Sequence, residues 1–111
     1  MLKDAQRKID EIAEKYENFY WSPHEILARI TEETGELARI INHIYGPKKK
    51  KSTEAEQNLS EEISDILFAL ICLANSQKID LDDSFNKVIE KFYNRDSKDP
   101  ARLGITHIEK K

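Results

Sequence analysis

The stretch SEEISDILFALICLAN, residues 60–75, decides the fold class of this chain. From residue 66 to residue 74 it is apolar on almost every side of a helical wheel. A helix that is hydrophobic all round belongs in the interior of a protein. The stretch therefore predicts a helix that begins near Ser60, lies at the centre of a bundle and is the least exposed element.

Two amphipathic helices are predicted before this central one. Residues 4–19 carry apolar side chains at three- and four-residue steps among charged neighbours. Ser22 followed by Pro23 indicates a helix start, because the hydroxyl caps the first turn and proline fits there. Gly46 and Pro47 end this second helix after about 22 residues. The segment 47–58, PKKKKSTEAEQN, has no apolar period and predicts a connecting loop.

A fourth helix is predicted after a turn at residues 79–81. Asp80 can cap it, and an apolar stripe continues from Leu81 to Phe92 before the helix ends near Arg95. Residues 96–111 show no clear period and predict an extended or partly disordered tail. We therefore expect an all-α, four-helix bundle-like domain over residues 1–95.

Composition narrows the classes of function. The 111 residues include three Gly and three Pro, too few turn residues for a protein of many short strands. No apolar run approaches the roughly 18 residues of a membrane span, and the N-terminus has no signal-peptide pattern, so we expect a cytoplasmic protein without a membrane partner. The single Cys72 excludes an internal disulfide. A net charge of −3 argues against a nucleic-acid partner.

Two sets of carboxylates repeat one spacing on the second and third helices. At about 100° per residue each set occupies one arc of its helix, and Glu33 lies at the margin of the apolar stripe. The sets are Glu32, Glu33 and Glu36, and Glu61, Glu62 and Asp65. A single set is usually solvated, since Glu is a good helix former. Two sets on the two most apolar helices would repel one another unless cations neutralise them.

Oxygen ligands without Cys or His favour a hard divalent ion, so the repeated motif predicts a site for Mg²⁺, with Mn²⁺ as an alternative. Glu32 and Glu61 lie furthest from the apolar arcs and can equally be solvated. On the fourth helix Lys87, Lys91 and Arg95 follow one another at four-residue intervals and form a basic ridge that could bind phosphate. The run Lys48–Lys51 is predicted to be solvated.

These motifs resemble those of MazG-like nucleotide pyrophosphohydrolases, of the all-α NTP pyrophosphatase superfamily. The family's paired EExxE and ExxD motifs correspond to EETGE at 32–36 and EISD at 62–65. The resemblance implies an Mg²⁺-dependent enzyme that cleaves a nucleoside triphosphate between its α- and β-phosphates. It implies metal ligands at Glu33, Glu36, Glu62 and Asp65, and phosphate contacts from Lys91 and Arg95. Either Glu32 or Glu36 would accept the proton of the attacking water.

Several alternatives stay open. Trp21 could stack on a base, or pack in the core or a dimer contact. The substrate could be that of a phosphoribosyl-ATP pyrophosphohydrolase or of a dCTP-type pyrophosphatase. A non-catalytic helical regulatory module would have no evident need of the acids, and a ferritin-like di-iron site would need Glu-x-x-His pairs that the sequence lacks. The small size, like the resemblance, implies a homodimer or homotetramer.

Overall fold

The computed structural model of the chain describes residues 1–47 and 53–95. It contains helices α1 (Leu2–Ala13), α2 (Pro23–Tyr45), α3 (Thr53–Ser76) and α4 (Leu81–Asn94). The described residues form no strand, so the predicted all-α class is confirmed. None of the described helices is long and apolar enough to cross a membrane. The predicted tail at 96–111 and the Lys48–Lys51 run lie outside the described residues.

Side-chain caps fix the starts of α2 and α4, as the sequence predicts. The Ser22 hydroxyl oxygen accepts a hydrogen bond of 3.3 Å from the Glu25 amide, and the Glu25 carboxylate accepts one of 3.1 Å from the Ser22 amide. Asp80 accepts a hydrogen bond of 3.2 Å from the Asp83 amide. These caps satisfy amide groups that have no partner inside the helix.

The first helix ends earlier than predicted, at Ala13 instead of residue 19. Hydrogen bonds of 3.1 Å from the Lys15 and Tyr16 amides tighten the chain into turns, and Asn18 follows with a φ of 53°. The apolar spacing continues past Ala13 because Phe19, which follows this turn, also packs against the core. Periodicity alone could not distinguish the two cases.

The third helix begins earlier than predicted, at Thr53 instead of near Ser60. Its first residues, TEAEQN, fall in the segment predicted as loop because they have no apolar period. Ala, Glu and Gln are nevertheless good helix formers. A helix whose second half is strongly apolar can therefore begin in this segment, even though the segment itself has no apolar stripe.

An antiparallel pair, α2 and α3, forms the centre of the molecule. Ile26 near the start of α2 shares the core with Ala69 and Cys72 in the second half of α3, while Glu33 further along α2 meets Glu62 nearer the start of α3. Ile9 of α1 joins the same core. The antiparallel packing places the two carboxylate motifs level with each other.

The expectation that α3 is the least exposed element is met on one side only. Ile71 and Ala74 are buried, whereas Ile63, Leu67 and Leu70 each keep close to half of their surface exposed. These three lie within an arc of about 60°, a face that the described elements of one chain leave largely open. The described residues of a single chain therefore leave one side of the predicted bundle open.

Helix α4 leaves a second apolar face open. It packs mainly against α1 and has no buried residue. Phe85 and Val88, in the middle of its apolar stripe, are 52% and 57% exposed.

The radius of gyration, 17.4 Å, exceeds the roughly 13 Å of a compact 100-residue domain.

A buried polar network joins α1 to the junction between α3 and α4. The Gln6 amide donates to Asn75 at 2.9 Å and to the Ile79 carbonyl at 2.8 Å, and its oxygen accepts from the Leu81 amide at 3.0 Å. Asn75 in turn donates to the Gln6 carbonyl at 3.0 Å and to the Tyr20 hydroxyl at 2.9 Å. The network fixes where α4 starts relative to the core.

Candidate active site

Three carboxylates from the two central helices converge on one point. Glu33 of α2 and Glu62 and Asp65 of α3 each place a carboxylate oxygen within 4.8 Å of the others. Such a group can hold a metal ion through one oxygen from each residue. The two motifs that the sequence analysis paired are therefore adjacent in the structure.

Among the described residues, the charge of Glu33 is only partly compensated. Its side chain is 7% exposed, and one oxygen lies 3.1 Å from Nε of Arg29, one turn earlier on α2. The other oxygen, Oε2, is buried without a hydrogen-bond partner, and so is Oε2 of Glu62. A buried carboxylate oxygen without a partner is costly. The group therefore fits a cation, and its oxygen-only donors suit a hard divalent ion.

The proximity of the two glutamates changes the acidity of Glu62. Its pKa is raised from the ordinary 4.5 to about 7. The largest cause is a hydrogen bond shared with Glu33, which favours the protonated form; desolvation and the charges of Glu33 and Glu36 act in the same direction. Without a cation, Glu62 therefore keeps its proton to a higher pH than an isolated glutamate does.

The remaining predicted acids lie around this group. Glu36, one turn beyond Glu33, is exposed, yet it is close enough to Glu62 to share a hydrogen bond with it. Glu32 and Glu61 are exposed. The structure thus brings together Glu33, Glu62 and Asp65, and places Glu36 at their edge.

The basic ridge lies along α4, which packs mainly against α1, whereas the carboxylates lie on α2 and α3. Lys87 pairs with Asp83 on its own helix at 3.2 Å. Lys91 is exposed, and α4 packs mainly against α1.

A cavity of about 570 Å³ adjoins the carboxylates. Trp21, which the sequence analysis proposed for base stacking, lines it. Arg29 and Asp65 line it too, so the cavity and the acidic group share a wall.

Two residues at the site escaped the sequence analysis. Arg29 precedes Glu33 by four residues, the spacing of an ion pair on one helix face, and that signal was available. Asn18 lines the cavity from the turn after α1. The turn that carries Asn18 was not predicted, so the position of Asn18 beside the cavity could not be predicted either.

The chain belongs to the MazG nucleotide pyrophosphohydrolase family, whose domain model matches residues 21–99. Among curated proteins, it is 47% identical over 95 residues to the uncharacterized protein YpjD of Bacillus subtilis, with 86% of each chain covered. It is 32% identical over 100 residues to B. subtilis YvdC, covering 85% of this chain and 94% of YvdC.

Solved structures agree with this assignment. A crystal structure of B. subtilis YpjD matches with a TM-score of 0.73 and 45% identity, covering 86% of this chain and 96% of that one. A Bacillus-conserved MazG protein described as a nucleotide pyrophosphohydrolase also matches with a TM-score of 0.73, at 42% identity over 86% of this chain and 93% of that one. The protein is thus a hydrolase that acts on pyrophosphate bonds.

Proposed function

We propose that the protein hydrolyses nucleoside triphosphates to the monophosphate and pyrophosphate in an Mg²⁺-dependent reaction, and so removes unwanted nucleotides from the cytoplasmic pool. The observation that carries the proposal is the group of three carboxylates with two buried, unpartnered oxygens on the helices that bear the family's motifs. Family membership supports the type of bond that is cleaved.

Four acids hold the cation in this proposal: Glu33, Glu36, Glu62 and Asp65. Mg²⁺, or Mn²⁺ in its place, would supply positive charge that neutralises the triphosphate and makes a nearby water more acidic. Glu32 or Glu36, both exposed beside the group, accepts the proton from the attacking water. Trp21 contacts the base from the wall of the adjoining cavity.

The basic side chains that bind the phosphates come from a second copy of the chain. Lys91 and Arg95, together with Lys87, lie on a helix that packs mainly against α1, whereas the acids lie on α2 and α3. In a homodimer, or in a homotetramer built from it, α4 of one copy would cover the open face of α3 in the other. The opposite charges of the ridge and the acidic group support this arrangement.

The reaction is tested by incubating the purified protein with each ribo- and deoxyribonucleoside triphosphate, in Mg²⁺ or in EDTA, and assaying pyrophosphate, monophosphate and orthophosphate. We expect equal amounts of pyrophosphate and monophosphate, and only with Mg²⁺. Glu33→Gln, Glu62→Gln and Asp65→Asn should each abolish turnover, with Glu61→Gln as the exposed control. Orthophosphate as the sole product, or full turnover in EDTA, would refute the mechanism.

The contribution of a second copy is tested by mixing two inactive variants, Glu62→Gln and Lys91→Ala. If α4 serves the acids of the other chain, a mixed dimer has one intact site, and random exchange restores about a quarter of the wild-type activity. If α4 serves its own chain, both sites of the mixed dimer lack a residue. Activity no greater than that of the separate variants would then place the ridge in the same chain.

A further inference from the structure

The cavity beside the carboxylates has the size and composition of a binding site for a planar organic group. Its volume of about 570 Å³ lies within the range of small-molecule sites, roughly 300–1,000 Å³. The α1–α2 turn supplies aromatic rings, and α3 supplies a wall of small and apolar side chains. The residues concerned are Tyr16, Phe19, Trp21, Phe68, Ala69 and Cys72.

The position of the cavity relates its occupant to the phosphates. Asp65 belongs both to the cavity wall and to the carboxylate group. Arg29 lines the cavity and also contacts Glu33 of the carboxylate group. A triphosphate held at the carboxylates would therefore have the organic part of the same molecule within reach of the cavity.

One polar side chain on the turn can distinguish between occupants. Asn18 lines the cavity with a φ of 53°, a left-handed conformation that Asn tolerates better than most residues. Its amide can donate and accept hydrogen bonds simultaneously, as the edge of a nucleobase does. Trp21, half exposed at the cavity wall, offers a ring face for stacking.

We propose that this cavity binds the nucleobase of the substrate, with Trp21 stacking on the base and Asn18 hydrogen-bonding to its edge. Asn18 is then a specificity-determining residue, and the α1–α2 turn rather than the carboxylate motif selects the base. The proposal rests on the proposed function for the identity of the ligand, but binding of a base can be measured without turnover.

Trp21 is the only tryptophan of the chain, so its fluorescence reports on the cavity directly. Adenosine, guanosine, cytidine and uridine are titrated separately into the metal-free protein. We expect saturable quenching by at least one nucleoside. Asn18→Gly removes the amide and keeps the left-handed turn, and it should weaken that binding about threefold to tenfold, the range expected for one hydrogen bond.

The matched control is Lys78→Gly. Lys78 is the other described non-glycine residue with a positive φ, 59°; it lines a neighbouring cavity on the other side of Asn18 but not the cavity of Trp21. It should leave nucleoside affinity unchanged. Absence of saturable quenching with all four nucleosides, or equal affinity in Asn18→Gly and wild type, would overturn the proposal. The proposal would also be overturned if the fluorescence changed with the protein concentration and not with the nucleoside concentration, because a contact between subunits would then fill the cavity.

A second readout separates this proposal from the proposed function. Inorganic triphosphate carries the phosphate chain without a base. For the wild type we expect kcat/KM for the preferred nucleoside triphosphate to exceed that for inorganic triphosphate, and Asn18→Gly should lower this ratio about threefold to tenfold. An unchanged ratio would reject the role of Asn18. If neither compound is hydrolysed, the proposed function fails while the fluorescence titration still decides the cavity.

Discussion

At the scale of single residues, the defining feature is a carboxylate pair that the fold brings into contact. Glu33 lies close enough to Glu62 to raise the pKa of that residue by favouring its protonated form, and each glutamate keeps a buried oxygen without a partner. Stability would be better served by a neutral pair at this position. The arrangement is understandable if the acids are kept for a cation that neutralises them.

The raised pKa of Glu62 predicts how stability depends on pH in the absence of metal. The folded state holds a proton up to about pH 7, whereas the unfolded chain releases it near 4.5. The free energy of unfolding should therefore be highest below pH 4.5, as far as this group is concerned, and fall as the pH rises towards 7. Urea denaturation in EDTA at a series of pH values measures this slope.

The variant Glu62→Gln removes the titrating group and should flatten that slope. Its metal-free melting temperature at pH 7.5 should equal or exceed that of the wild type, because a repelling charge has gone. Glu61→Gln, an exposed neighbour, should retain the wild-type slope. A large loss of metal-free stability in Glu62→Gln would show that the acid is structural.

Arg29 is the cation that the chain itself offers to Glu33, through Nε at 3.1 Å. In EDTA, Arg29→Met should lower the free energy of unfolding by about 1–2 kcal/mol, since a buried carboxylate loses its partner; solvent screening of the half-exposed Arg29 keeps the loss from being larger. Adding Glu33→Gln should recover most of this loss, and denaturation of both single variants and the double variant measures the coupling.

Arg39→Met, an exposed position on the same helix, provides the comparison for this cycle. It should change stability by less than about 0.5 kcal/mol. Additive effects of Arg29→Met and Glu33→Gln would contradict the assigned ion pair.

At the scale of elements, a polar network connects α4 to the rest of the molecule, together with the packing of Leu81 against the core. Gln6 bonds to Asn75, to the Ile79 carbonyl and to the Leu81 amide. Its substitution Gln6→Leu keeps the approximate size and leaves these groups without partners. We expect the free energy of unfolding to fall by about 2–3 kcal/mol, as measured by urea denaturation.

An exposed glutamine gives the matched comparison. Gln77→Leu, at the end of α3, should change stability by less than about 0.5 kcal/mol. Because Gln6 also fixes the start of α4, amide hydrogen exchange in α4 should accelerate in Gln6→Leu. Equal stability of the two variants would mean that the network contributes nothing beyond the apolar contacts.

At the scale of the whole molecule, the described residues of one chain leave two apolar faces open, one on α3 and one on α4. Ile63, Leu67 and Leu70 form one on α3; Phe85 and Val88 belong to the other on α4. We expect sedimentation to show a dimer or a tetramer. Val88→Glu should shift the protein towards monomer by placing a charge in the contact.

The control for charge is Asn86→Glu, an exposed position outside the apolar stripe of the same helix. It should sediment like the wild type. A wild-type protein that sediments as a stable, active monomer would refute the assembly and would require α4 to reach the acids of its own chain.

The sequence by itself determined the helical class, the caps of α2 and α4 and the pairing of two carboxylate motifs. Each of these depends on interactions between residues a few positions apart, such as the bond between Ser22 and Glu25. The boundaries at Ala13 and Thr53 were predicted wrongly, because apolar spacing continues through a turn and helix propensity continues without spacing.

Only the tertiary structure decided which groups meet across the chain. The antiparallel register of α2 and α3 brings Glu33 to Glu62, and the turn around Asn18 closes a cavity against α3. The network at Gln6 joins α1 to the start of α4, which packs mainly against α1. These are contacts between residues distant in sequence, and they depend on how whole helices pack, which no local pattern of residues encodes.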